Sequence, residues 1–311
     1  MKAMQILFPV VFMILLGFLC RISKIITPTQ KDGAKDIIFN VVLPIVVFNA
    51  VFTSKVDKTT IYIVMYALVA WTIAFLIGYL CRNWISKRYS KIIPYMLWTV
   101  EGGSVALPLY SAIVGDGYAF NTIRFDMAGI VVGFVLIPIL VAKQSSGEVT
   151  TKELFIKIIT NRFVQALVAG LVFNIVGLYG VIENSGFLNL YENTISMVSS
   201  SLTSLILFAM GYELKLEART LPPILKLIAI RIVTSAAIAA GIFVLFRDMI
   251  ADRAFMIAVL VYFSSPTGFA NQLQVKPLFE DETDGQFLST YLSLYMIVTL
   301  IAYTMIVTFF A

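Results

Sequence analysis

Residues Trp98–Tyr110 read WTVEGGSVALPLY, and how this stretch is built decides the fold. It lies inside an apolar run long enough to cross a bilayer. Yet it holds an ionisable residue, Glu101, two adjacent glycines, Gly102 and Gly103, and a proline, Pro108. Gly-Gly loosens a helix by about 1 kcal/mol per residue, and proline removes a backbone donor and clashes with the preceding turn. In hydrocarbon each freed peptide group needs another partner, so such a segment persists only where protein or a water-filled cavity supplies one.

The chain around it is built for lipid. Of 311 residues, 59% are hydrophobic and 13% charged, with a mean hydropathy of +0.91, beyond the range of a water-soluble domain. Apolar runs near the 20 residues needed for ~30 Å of hydrocarbon recur along its whole length. They predict an all-α polytopic membrane protein of ten spans, at 5–22, 34–53, 60–83, 92–114, 119–142, 155–180, 190–213, 221–246, 253–275 and 287–310. No small-residue cleavage site follows Ile6–Leu19, which therefore reads as a retained first span. The linker 143–153 separates two sets of five spans, 1–142 and 154–311.

Basic residues collect on one side. Arg21, Lys24, Lys31, Lys35, Arg82, Lys87, Arg88, Lys91, Lys143, Lys152, Lys157, Lys215, Arg219, Lys226 and Lys276 oppose Lys2, Lys55, Lys58, Arg247 and Arg253. The positive-inside rule makes the first set cytoplasmic and places both termini outside. The net charge of +5 follows from this asymmetry without a nucleic-acid partner. With no histidine and only Cys20 and Cys81, the usual ligands for a metal or iron–sulfur cofactor and the usual general base are missing. The expectation is neither a cofactor nor an enzyme.

Five is odd, so the second half enters the membrane from the opposite side to the first, the inverted-repeat topology of many secondary transporters. The fourth span of each half is the interrupted one. Its second copy is VYFSSPTGFANQLQ, Val261–Gln274, where Ser264, Ser265, Pro266, Thr267 and Gly268 crowd an apolar run. One break is commonly a proline kink; two at equivalent positions point to a binding site. If both unwind and cross, half-helix N-termini converge on a spot suited to a carboxylate, with Ser104, Ser264, Ser265, Thr267 and Asn271 beside it.

Glu101 is expected either to carry a proton during the cycle or to serve as a structural, protonated residue bonded to unwound backbone. Asp126 is a second proton-coupling candidate, with local pairing or snorkelling as its alternative. Asn49 either lines the site or makes an interhelical hydrogen bond. Arg162 and Arg231 read as interfacial snorkelling residues, and the acidic run Glu280–Gly285 as a solvated connection.

At these residues the chain resembles the auxin efflux carrier family, which includes the plant PIN-type carriers and many bacterial members. The resemblance covers nearly the whole length and rests on NVVLPIVVFNAVF, EGGSVALPLYSAIVG, FDMAGIVVGF, SLILFAMGYELK and SSPTGFANQLQ, in that order and spacing. It implies ten helices in two inverted repeats with crossed, broken fourth and ninth helices, similar to the bile-acid symporters and the NhaA antiporter. It further implies a scaffold of spans 1, 2, 6 and 7, a transport domain of spans 3–5 and 8–10, an elevator-like motion and a homodimer joined through the scaffold. Crossover prolines would map onto Pro108 and Pro266, and the cargo would be an organic anion such as auxin, malate or malonate. Many relatives have asparagine near the first crossover where this chain has EGGS, which makes proton coupling through Glu101 more attractive. A bacterial inner-membrane carrier fits best. Two alternatives stand beside it: a sodium-coupled organic anion symporter and a non-transporting intramembrane ligand sensor.

Overall fold

The computed structural model describes residues 2–145, 150–199, 202–214, 220–268, 271 and 274–310. Linker residues 146–149, the basic Lys215 and Arg219, and parts of the seventh and ninth expected spans lie outside them. The described elements are helical throughout. They are α1 (Lys2–Ile22), α2 (Pro28–Phe52), α3 (Lys58–Ile85), α4 (Gly102–Val114), α5 (Phe120–Gln144), α6 (Thr151–Ile159) and α7 (Arg162–Ile175). The remainder are α8 (Leu178–Asn184), α9 (Leu188–Ser199), α10 (Leu202–Glu213), α11 (Leu221–Leu245), α12 (Arg253–Ser264) and α13 (Glu282–Phe310).

Among the described residues seven helical stretches are long and apolar enough to cross a membrane: α1, α2, α3, α5, the α9–α10 stretch, α11 and α13. The bent pair α7–α8, turned by 65°, makes up to eight. The protein is thus a multi-pass helical membrane protein. The two remaining apolar helices, α4 and α12, are too short to span on their own, and both adjoin the breaks read from the sequence.

Local chemistry sets the helix starts. The Thr27 side chain accepts from the Gln30 amide while Gln30 reaches back to the Thr27 amide, a capping box with Pro28 in the first turn. Asp57, Asn161 and Asp252 cap α3, α7 and α12 by accepting from amides at the helix starts. The Asn161 cap also explains a departure from expectation. The run 155–180 is not one helix: α6 is a separate helix that ends at Ile159, and α7 begins after the cap. Gly177, at φ 74°, then turns the chain between α7 and α8.

Small residues bring helix axes together. A Cβ on Gly17 would lie 1.9 Å from the Phe208 carbonyl oxygen, and one on Gly211 would lie 1.8 Å from that of Ile14, so α1 and α10 touch backbone to backbone. Gly170 brings α7 against the Phe48 carbonyl of α2 in the same way. Elsewhere α3 packs on α5 and α11, where Tyr66 donates to the Ile238 carbonyl at 2.8 Å above Gly241. Helix α12 packs among α4, α5, α11 and α13.

The acidic run after the second break is more than a solvated connection. Arg88 bonds Asp281 at 2.6 Å, Lys91 bonds Glu280 at 2.8 Å, and Asp284 is buried, accepting from the Glu280 amide at 2.6 Å. Tyr89 stacks on Phe287 with centroids 4.0 Å apart. These contacts clip the α3–α4 connection to the start of α13. The sequence reading missed them because the partners are some 190 residues apart.

Candidate functional site

The first break lies just upstream of the Gly-Gly pair. After a short 3₁₀ turn, Ile93–Leu97, the backbone leaves helical geometry over Trp98–Glu101, and Thr99 takes φ 153°. Helix α4 then opens with a wide turn, Gly102–Ala106, closed by the Ala106 amide on the Glu101 carbonyl at 3.1 Å. Pro108 therefore sits inside α4, just after this wide turn, and not at the break itself. The second break is where the sequence reading put it: α12 stops at Ser264, and Ser265–Thr267 are non-helical.

The breaks touch. The Glu101 amide donates to the Pro266 carbonyl at 2.7 Å, joining the unwound backbones directly. Around this bond the carbonyls released at the end of the first half-helix are taken up one by one. Thr267 Oγ1 donates to Met96 O, Tyr291 Oη reaches the same oxygen at 3.3 Å, and Asn271 Nδ2 donates to Tyr95 O at 3.2 Å.

The main partner was misjudged from sequence. Arg231 is not an interfacial snorkelling residue; it is fully buried. Its two terminal nitrogens donate to Met96 O at 2.9 Å and Thr99 O at 2.6 Å, between the rings of Trp71 and Tyr295. A planar fork suits two carbonyls three residues apart, one in the 3₁₀ turn and one in the break, and the cation offsets their partial negative charge. The signal was present in the sequence. Arg231 lies ten residues into α11, about 15 Å along the axis, too deep for its side chain to reach the nearer interface comfortably. Arg162, by contrast, is exposed at the first turn of α7.

Two carboxylates flank the other side. Ser104 Oγ donates to Glu101 Oε1 at 2.5 Å. Asp126, on α5, accepts from Tyr262 Oη at 3.3 Å and lies so close to Gly102 that a Cβ there would meet its Oδ1 at 1.9 Å. The same carboxylate is 3.1 Å from where a Cβ on Gly129 would be, beside Thr99 Oγ1. The N-terminus of α4 thus already faces an acidic side chain of the protein. Glu101 and Asp126 are brought together, whereas nothing in the sequence links two residues on separate helices.

The remaining candidates are distributed differently. Ser264 and Ser265 both donate to the Val261 carbonyl, at 3.1 and 2.8 Å, and Thr267 faces Met96, so all three hydroxyls bond to backbone carbonyls. Asn49 makes the interhelical bond, accepting from Tyr191 Oη at 2.7 Å. It lines a cavity of about 270 Å³ with Leu107 and Ser111 of α4. A second cavity, about 540 Å³, is lined by Lys31 and Lys35 of α2 together with Ser289 and Ser293 of α13. Lys31 and Asn49 are roughly 27 Å apart along α2, so the cavities lie toward opposite ends of that helix.

Fold and site together define a polytopic α-helical membrane protein whose two interrupted apolar segments interlock through a buried polar cluster. The chain matches no protein-family model and no curated protein.

Proposed function

We propose that the chain is a secondary transporter that moves a small organic anion, such as an auxin-like or dicarboxylate acid, across the plasma membrane. The observation that carries this reading is the Glu101–Pro266 bond between two unwound segments, surrounded by Arg231, Asp126 and Glu101 in an otherwise apolar interior. Broken helices meeting at a polar cluster are how transporters place a cargo site within the bilayer.

In this reading the chain has ten spans in two inverted repeats, with α4 and α12 as parts of the fourth and ninth. The most extensive pairings of α1 with α10 and of α2 with α7, and the packing of α12 among α4, α5, α11 and α13, support a scaffold and a moving transport domain. The two cavities along α2 support access from either side, and the apolar outer faces leave room for a homodimer. Two carboxylates beside the α4 N-terminus repel an anion while ionised. Cargo binding is therefore linked to a proton on Glu101, with Asp126 holding the second acidic position.

Solute-driven proton flux in proteoliposomes tests the coupling. Glu101→Gln, which keeps a partner for Ser104, is expected to leave exchange of labelled anion measurable and to abolish proton movement. Unchanged proton flux in that variant would remove Glu101 from the cycle. Binding of the anion with no counterflow at all would favour a sensor over a carrier. The oxygen-rich surroundings of Asp126, with Thr99 Oγ1 and Tyr262 Oη at hand, also suit a sodium ion. Uptake that stops when choline replaces sodium would favour that second reading.

A further inference from the structure

A second polar cluster lies at the cytoplasmic end of α2, away from the crossover. Lys31 bonds Glu213 at 2.9 Å and also meets Asp32; Lys35 bonds Glu213 at 2.6 Å; Arg21 donates to the Tyr212 and Leu214 carbonyls. Among the described residues three cations face two carboxylates, leaving one positive charge on the wall of the 540 Å³ cavity. The Lys31 side chain is only 12% exposed, well inside the rim.

Lys31 also lines another cavity of about 330 Å³, on the opposite side of the α2 start. That one is a mainly apolar groove formed by Ile25, Ile26, Ala34, Leu205, Phe208 and Ala209. Leu205 is eight residues before Glu213 on α10, so the groove runs about 12 Å from the charged cluster toward the membrane interior. Its mouth is apolar and open, with Ile25 70% and Leu205 43% exposed.

We propose that this composite is a binding site for an anionic phospholipid: the phosphate on Lys31 and Lys35, and one acyl chain in the groove between α2 and α10. One surplus positive charge matches one phosphodiester. Basic pockets between helices at the cytoplasmic surface are suited to such headgroups, and the groove offers a chain close van der Waals packing. A soluble anion would use the lysines but leave the groove unfilled. The site is separate from the crossover and does not depend on the transport reading.

The full-length protein in detergent, titrated with phosphatidylglycerol or phosphatidylcholine and read by native mass spectrometry and thermal shift, tests this. Phosphatidylglycerol is expected to be retained at least tenfold more strongly. Lys31→Gln with Lys35→Gln should erase the preference, Glu213→Gln should strengthen it, and Ala34→Trp, filling the groove from an exposed position, should weaken phosphatidylglycerol retention about tenfold. If the double variant fails to fold, the Glu213 and Ala34 variants, which keep both lysines, decide the matter. Equal retention of the two lipids, a preference that survives Ala34→Trp, or displacement of the lipid by equimolar glycerol 3-phosphate would each overturn the proposal.

Discussion

The two breaks meet backbone to backbone, yet they do different work. The first, Trp98–Glu101, releases carbonyls and carries a carboxylate. The second, Ser265–Thr267, brings donors: Thr267, and Asn271 just beyond it, turn toward Tyr95 and Met96 of the first. Among the described residues one backbone bond, Glu101 to Pro266, joins them on equal terms. The asymmetry is completed from outside both breaks, by Arg231 on α11 and Tyr291 on α13. A pair of interrupted helices therefore makes a site only when the loose ends of one find their partners on the other or on a third element, since the bilayer offers none.

Replacing Arg231 attacks that arrangement most directly. Arg231→Met leaves the Thr99 carbonyl without its donor and Met96 O with only Thr267 and Tyr291, and a loss of about 2–3 kcal/mol is expected in detergent unfolding. Arg231→Lys should recover only part of it, because a single ammonium lacks the planar geometry that reaches both oxygens. A fully stable Arg231→Met protein would mean that the second break can satisfy the first unaided.

Gly102→Ala is next. Its Cβ would lie 1.9 Å from Asp126 Oδ1, so the carboxylate must move; a cost of about 1–3 kcal/mol is expected, together with altered coupling in the proton-flux assay. Thr267→Val keeps the shape and removes one hydrogen bond to Met96. About 1 kcal/mol should be lost, with Tyr291 still holding the same oxygen.

The smallest effect is expected at the exposed clip between Arg88, Lys91 and the acidic run, where the same charge types meet in water. Hydrogen bonds from Thr283 and then Arg88 hold the Asp281 carboxyl down to about 2. A carboxylate depressed in the folded state adds stability that is present above its ordinary value of 3.8 and is lost as pH falls toward 2. Asp281→Asn should flatten that acid dependence slightly without changing the melting temperature at pH 7 in high salt, where exposed pairs are screened. A large shift at pH 7 would reverse the ranking of buried and exposed arginines on which this comparison rests.

The residues themselves settle a good deal. Mean hydropathy and the recurrence of apolar runs determine a multi-pass helical protein, and the Gly-Gly, proline and serine clusters mark two of the interrupted apolar runs, because both follow from local composition and backbone chemistry, whereas the 65° bend between α7 and α8 was not foreseen. The first break shifts from the Gly102–Pro108 stretch, which is helical, to Trp98–Glu101, where distant donors take up the unwound backbone. Arg231 was placed wrongly for the same reason: its partners are more than 130 residues away in sequence. The acidic run at Glu280–Gly285 looked like any solvated loop until folding brought Arg88 and Lys91 to it. Period and composition act within a few turns of chain and so can be read directly. Which buried carbonyl finds which donor, and which two carboxylates become neighbours, is fixed only when helices far apart in sequence pack together.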